Sequence, residues 1–172
     1  MNIADALRQL KAFARQDGVV LWLVWLVSFA MMRYAPQMAL GNLLALSTPL
    51  VVMWRLKVFR TDALEGVISY RRAWVYSMYV FFYASILFAV TQYAYFRFLD
   101  NGVFVGSMVS TMDAFAPNYM QMGMTQQELG QTKELLLALT PIELSFLFMM
   151  QNLFLGGLMS LFIAAFGMKR RV

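Results

Sequence analysis

The chain has 172 residues, of which 61% are hydrophobic, 16% aromatic and only 13% charged, with a net charge of +5 and a mean hydropathy of +0.62. Soluble domains carry about 25% charged residues, so this shortage, together with apolar runs of spanning length, predicts an integral membrane protein with no separate soluble domain. Cysteine and histidine are both absent, which excludes disulfides, thiolate nucleophiles, imidazole bases and every Cys/His metal site.

At the N-terminal end, Ile3, Ala6, Leu7, Leu10, Phe13 and Ala14 recur at helical spacing, with Asp5, Arg8, Gln9 and Arg15 turned elsewhere. This pattern predicts a short amphipathic helix lying in the headgroup layer before the chain turns inward. An uncleaved first span follows over about 17–34, because no small-x-small cleavage site comes directly after Met32. Pro36 marks a turn, and a second span covers about 38–56. In that span Pro49 should kink the helix and free the carbonyl of Ala45, which then needs a donor from a neighbouring helix, a hydroxyl or a water.

Residues 55–74 form the one charge-dense interruption. Arg55, Lys57, Arg60, Arg71 and Arg72 fall within a single connection between apolar runs, which reads as a cytoplasmic loop. Asp62 followed by Glu65 allows a helix start there, although Gly66 favours a loop that hugs the membrane equally well. The third span, about 73–98, is the most aromatic, with Trp74 and Tyr76 at one end and Tyr93 and Tyr95 at the other. Such residues form interfacial belts.

Residues 99–140 are the only sizeable segment outside the bilayer. Val105, Met108, Val109, Met112 and Phe115 keep helical spacing until Ala116-Pro117-Asn118 breaks it. Thr125 with Glu128, and Thr140 with Pro141 and Glu143, form two capping boxes. The first opens an amphipathic outer helix with Leu129, Leu136 and Leu137 inward, and the second opens a last span over about 141–167.

Eleven basic residues fall on one side of this layout: Arg8, Lys11 and Arg15, the five of the central loop, and Lys169, Arg170 and Arg171. Only Arg33, Arg97 and Lys133 fall on the other. The predicted fold is therefore an all-α, four-transmembrane-helix bundle forming a single domain over 1–172. It carries an N-terminal amphipathic helix and an external amphipathic helix before the last span. Both termini are cytoplasmic, in the bacterial inner membrane.

Three groups of residues are candidate sites. Gly156, Ser160 and Ala164 lie four apart and make a smooth helix-packing stripe. Arg55, Lys57, Arg60, Arg71, Arg72, Lys169, Arg170 and Arg171 form a patch for anionic lipid headgroups or a partner; topology alone would also place them there. Asn42, Ser47, Thr48, Gln92, Gln151 and Asn152 either glue helices together or line a polar cavity. Glu143 reads as the only acid near a membrane segment, and its place in a capping box makes it structural. The Met120–Met124 cluster, with Met108 and Met112 upstream, has thioethers spaced as in Cu(I) sites. It lacks His or Cys, so packing is expected and no metal or cofactor is assigned.

Glu65-Gly66-Val67-Ile68-Ser69-Tyr70 entering span three, and Met122-Gly123-Met124-Thr125-Gln126-Gln127 before span four, resemble the domain-of-unknown-function family 4199. The resemblance covers nearly the whole chain and implies no catalytic residues. It implies an accessory role beside membrane-bound glycosyltransferases that act on lipid carriers.

Two functions follow as expectations. One is a non-enzymatic accessory or scaffold subunit whose partners are membrane lipids and another membrane protein or a second copy, with no nucleic acid. The other is a small transporter or lipid-handling protein with a polar cavity.

Overall fold

The computed structural model describes residues 3–169. Its described residues form helices α1 (Ile3–Tyr34), α2 (Leu40–Leu46), α3 (Thr48–Ala63), α4 (Tyr70–Phe98), α5 (Val103–Ala114), α6 (Ala116–Gln121), α7 (Gln126–Ala138) and α8 (Pro141–Gly167). The one β feature among them is an antiparallel bridge between Ile68 and Lys169. Helices α1, α4 and α8 are long and apolar enough to cross a membrane, and α2 with α3 adds a fourth crossing if that bent pair counts as one span. The chain divides into two compact units, Met1–Ala89 with Phe148–Val172, and Val90–Leu147.

The first unit corrects the sequence reading at once. No turn separates an amphipathic helix from the first span; α1 is a single helix of 32 residues. Asp17-Gly18 falls where the amphipathic pattern gives way to the first span. The structure keeps the helix because both residues serve packing. A Cβ at Gly18 would lie 2.7 Å from Tyr83 Cβ, so only glycine lets α4 approach this closely. Asp17 is held by side chains from α3 and α4.

The second rod is the bent pair α2–α3, broken at Ser47 by 48°. Proline's missing N–H leaves the Ala45 carbonyl without its helical donor, and the Thr48 hydroxyl fills that place at 2.7 Å. Despite the bend, the pair runs antiparallel along α1 in register. Gly41 abuts Met32, Thr48 meets Trp25, Arg55 meets Asp17 and Phe59 meets Phe13. Helix α4 then runs parallel to α1, with Gly18 against Tyr83 and Trp25 against Phe88. Helix α8 returns, with Gly156 against Phe81 and Gly167 against Leu56. Successive rods thus alternate in direction around a core that includes Leu21, Val52, Leu56, Phe59, Tyr76, Val80 and Phe81.

A second correction concerns the connection between α3 and α4. Asp62 does not begin a helix; it lies in the last turn of α3. Glu65 and Gly66 end that helix in left-handed conformations, with φ of 52° and 80°, a geometry glycine adopts at no steric cost. The Gly66 N–H reaches back to the Arg60 carbonyl at 2.9 Å. Arg55, Lys57 and Arg60 therefore sit on α3, and Arg71 and Arg72 on the first turn of α4, rather than in a loop.

In the second unit both capping boxes form as expected. The Thr125 N–H donates to Glu128 at 2.8 Å and the Glu128 N–H to the Thr125 hydroxyl at 3.2 Å. Thr140 and Glu143 repeat the exchange at 2.8 and 3.4 Å. Leu129 is buried, but Leu137 is 63% exposed, so the inward face of α7 is narrower than its sequence implies. Ala116-Pro117 does end α5, and the proline then opens the short helix α6. Lys133 on α7 is ion-paired with Asp113 on α5.

Candidate functional site

The most constrained polar group in the first unit is one the sequence reading did not single out. Asp17 is 1% exposed. Arg55 donates from Nε to its Oδ1 at 2.6 Å, and Nη2 approaches the same oxygen at 2.6 Å. The Tyr76 hydroxyl donates to Oδ2. Phe59 stacks parallel on the Tyr76 ring, centroids 4.6 Å apart, while the Arg55 guanidinium lies over Trp54 at 5.1 Å. Burying a carboxylate costs several kcal/mol unless its charge and lone pairs are satisfied, and here a cation and a phenol satisfy both oxygens. Glu143 is therefore not the only acid beside a span. The clue was available: Asp17 is an acid at the edge of an apolar run, and such a residue requires a partner.

Farther along the first rod, a groove of about 300 Å³ opens between the bent α2–α3 pair and α8. Trp25, Phe29, Phe81 and Phe88 supply much of its apolar wall, while Thr48 and Asn152 contribute polar groups. The Thr48 hydroxyl accepts from Trp25 Nε1 at 3.0 Å and donates to the Ala45 carbonyl. Ser28 donates to the Gly41 carbonyl at 2.7 Å.

The six residues expected to line a polar cavity do not gather in one. Thr48 and Asn152 reach the groove. Asn42 and Gln151 are exposed, and Ser47 is tied to the Leu44 carbonyl. Gln92 belongs to the second unit, 4% exposed, with no partner for its Oε1 among the described residues. The groove wall is mainly apolar because the hydroxyls on it are already bonded to backbone carbonyls.

The smooth stripe is turned inward. A Cβ at Gly156 would lie 2.5 Å from Phe81 Cγ, Ser160 and Ala164 are fully buried, and Ser160 donates to the Gly156 carbonyl at 2.7 Å. The close approach that small residues permit is thus made to α4 of the same chain, and the stripe is not offered to another protein.

The basic candidates separate into three kinds. Arg55 neutralises Asp17. Arg60 donates to the Gly167 carbonyl at 2.8 Å, and Arg72 donates to Gln9 at 3.2 Å while lying over Phe59. Lys57, Arg71 and Lys169 are exposed, and Arg170 and Arg171 lie outside the described residues. Lys169 contributes its backbone, paired in both directions with Ile68 at 3.0 Å. In the methionine cluster, Met122 is 84% exposed and Met120 is exposed as well. No group of His, Cys, Asp or Glu able to hold a metal occurs among the described residues. Glu143 is committed to its cap. Glu128 is too, and the Thr125 backbone N–H and hydroxyl hold its carboxyl below the usual carboxylate range.

A family model described as "Protein of unknown function (DUF4199)" matches residues 16–169. The chain belongs to this family. The DUF4199 match includes Asp17, Arg55 and Tyr76, the groove, and both capping boxes, and it begins just before Asp17. No curated protein and no solved structure matches the chain.

Proposed function

We propose that this DUF4199 protein is a non-enzymatic accessory or scaffold subunit of an assembly in a bacterial inner membrane. In this reading it crosses the membrane four times, through α1, the α2–α3 pair, α4 and α8, with both termini cytoplasmic. The observation that carries the proposal is the closed state of Asp17. Both oxygens of this carboxylate are occupied by Arg55 and Tyr76, so it is committed to holding helices together rather than to moving protons or ions. The alternating direction of the four rods supports four crossings. The eleven-to-three division of basic residues supports the orientation.

With the Gly156 stripe consumed internally, the outer face of α8 is one exposed apolar surface open to a partner. Phe154, Leu158, Phe162 and Phe166 are exposed there at four-residue spacing. A second copy and a membrane-bound glycosyltransferase acting on lipid carriers, the class the family resemblance implies, are the partners to look for.

Reporter fusions after Val172 and within residues 125–139 test the topology, and an exported C-terminus would sink it. Purification of the tagged protein from native membranes tests the docking role, with a stoichiometric membrane partner or a homo-oligomer expected. The groove favours a second reading, a small transporter or lipid-handling protein, because about 300 Å³ of open space lies beside Asn152. If the protein purifies alone and moves a solute or lipid across reconstituted vesicles, this second reading replaces the first.

A further inference from the structure

At its C-terminal end α3 carries two faces. Val52, Leu56 and Phe59 are buried in the core. Leu50, Met53, Trp54, Lys57 and Arg60 share the other face, at the spacing of one helical stripe, and with Phe166 they line a second trough of about 440 Å³. The two halves of this trough differ in chemistry. Leu50, Trp54 and Phe166 are large, exposed and apolar. Lys57 and Arg60 lie one to three turns farther along α3 from Leu50 and Trp54, towards the end of the rod, while Phe166 adjoins Gly167 at the cation end.

Neither cation is neutralised by an acid among the described residues. Arg60 spends Nη1 on the Gly167 carbonyl, and its Nε–H is buried with no acceptor among the described residues. Lys57 is exposed, and its ammonium makes no hydrogen bond or ion pair among the described residues. An indole between an apolar strip and two cations is the pattern of a membrane interface, where Trp sits at headgroup depth and Lys or Arg extends outward.

We propose that this trough binds one anionic phospholipid. Lys57 and Arg60 hold its phosphate, and its acyl chain lies along Leu50, Met53 and Trp54. The lipid, rather than a soluble phosphate, is the occupant because the apolar half of the trough continues the cation pair towards the middle of the rod, where an acyl chain runs. The inference rests on the chain being embedded in a bilayer and not on the docking role.

The test uses the full-length protein, purified in a mild detergent and exchanged into phosphatidylglycerol, phosphatidylcholine or inorganic phosphate. Native mass spectrometry then counts the lipids retained. One phosphatidylglycerol should remain bound where phosphatidylcholine does not. Lys57→Gln should weaken retention about fivefold, and the Lys57→Gln/Arg60→Gln pair about thirtyfold, as expected for cations meeting anionic headgroups. Lys57→Gln is the decisive single variant, because Arg60 also closes the end of α8 and its loss could loosen the fold; circular dichroism checks that Lys57→Gln remains helical. Trp54→Ala should weaken phosphatidylglycerol retention without changing the preference for anionic lipid. Equal retention of the two lipids, an unchanged affinity in Lys57→Gln, or displacement of the lipid by millimolar inorganic phosphate would each overturn the proposal.

Discussion

The indole N–H of Trp25 donates to the Thr48 hydroxyl at 3.0 Å, and the same hydroxyl donates to the Ala45 carbonyl at 2.7 Å. One side chain thus joins α1 to the bent rod and repairs the backbone that Pro49 interrupts. Thr48→Val keeps the shape but leaves two buried polar groups unmatched, which should cost about 1–3 kcal/mol. Thr48→Ser should lose much less. Unfolding in detergent measures both, and equal stability of the two variants would refute the bridging role.

The Asp17–Arg55 pair makes a second prediction. Removing one partner strands a buried charge, so Arg55→Met alone should destabilise by about 3 kcal/mol or more. Asp17→Leu combined with Arg55→Met should recover part of that loss, since apolar replacements of buried pairs are often neutral but the buried Tyr76 hydroxyl then lacks its acceptor. Additive losses in the double variant would show that the two side chains do not act as a pair.

Gly156 supplies a third. Leucine there must displace Phe81, whose ring atoms occupy the space of the new Cβ. We expect Gly156→Leu to lower the stability of the protein alone, before any partner is considered, by an amount of the order of 1–3 kcal/mol. Phe81→Ala in the same chain should restore part of it. If Gly156→Leu leaves thermal stability in detergent unchanged, the stripe does not pack as described.

The start of α7 should respond to pH. The Thr125 backbone and hydroxyl lower the Glu128 pKa in the folded state. Its contribution is therefore fully present above the ordinary carboxylate pKa and fades as pH falls through the lowered folded value. Amide exchange, corrected for its intrinsic pH dependence, should show weaker protection across residues 126–130 in acid. Glu128→Gln should flatten that response, and an unchanged profile in Glu128→Gln would argue against the cap as its origin.

What the sequence made legible was local. Thr140 and Glu143 are three residues apart, so their cap could be read without knowing anything else about the fold. The need of the Ala45 carbonyl for a donor follows from Pro49 alone, and a hydroxyl was among the donors expected. That Asp17 needed a partner was legible, but which residues supply it was not, because they lie 38 and 59 residues away and no periodicity connects them. The Gly156 stripe showed that some helix approaches α8, but spacing carries no information about which one. The continuity of α1 through Asp17-Gly18 depends on neighbours from α3 and α4, and so it could not be seen in the segment itself.

The Ile68–Lys169 bridge has a consequence for biogenesis. The connection between α3 and α4 leaves the ribosome early, yet its backbone partner is Lys169, and Arg60 waits for the carbonyl of Gly167. About a hundred residues must be made between the two halves of this joint. Until then the first three rods stand with Phe81 uncovered on the side α8 will occupy. The nascent chain therefore passes through a long open stage in which α8 is the missing piece, and the bundle closes only when its last rod arrives.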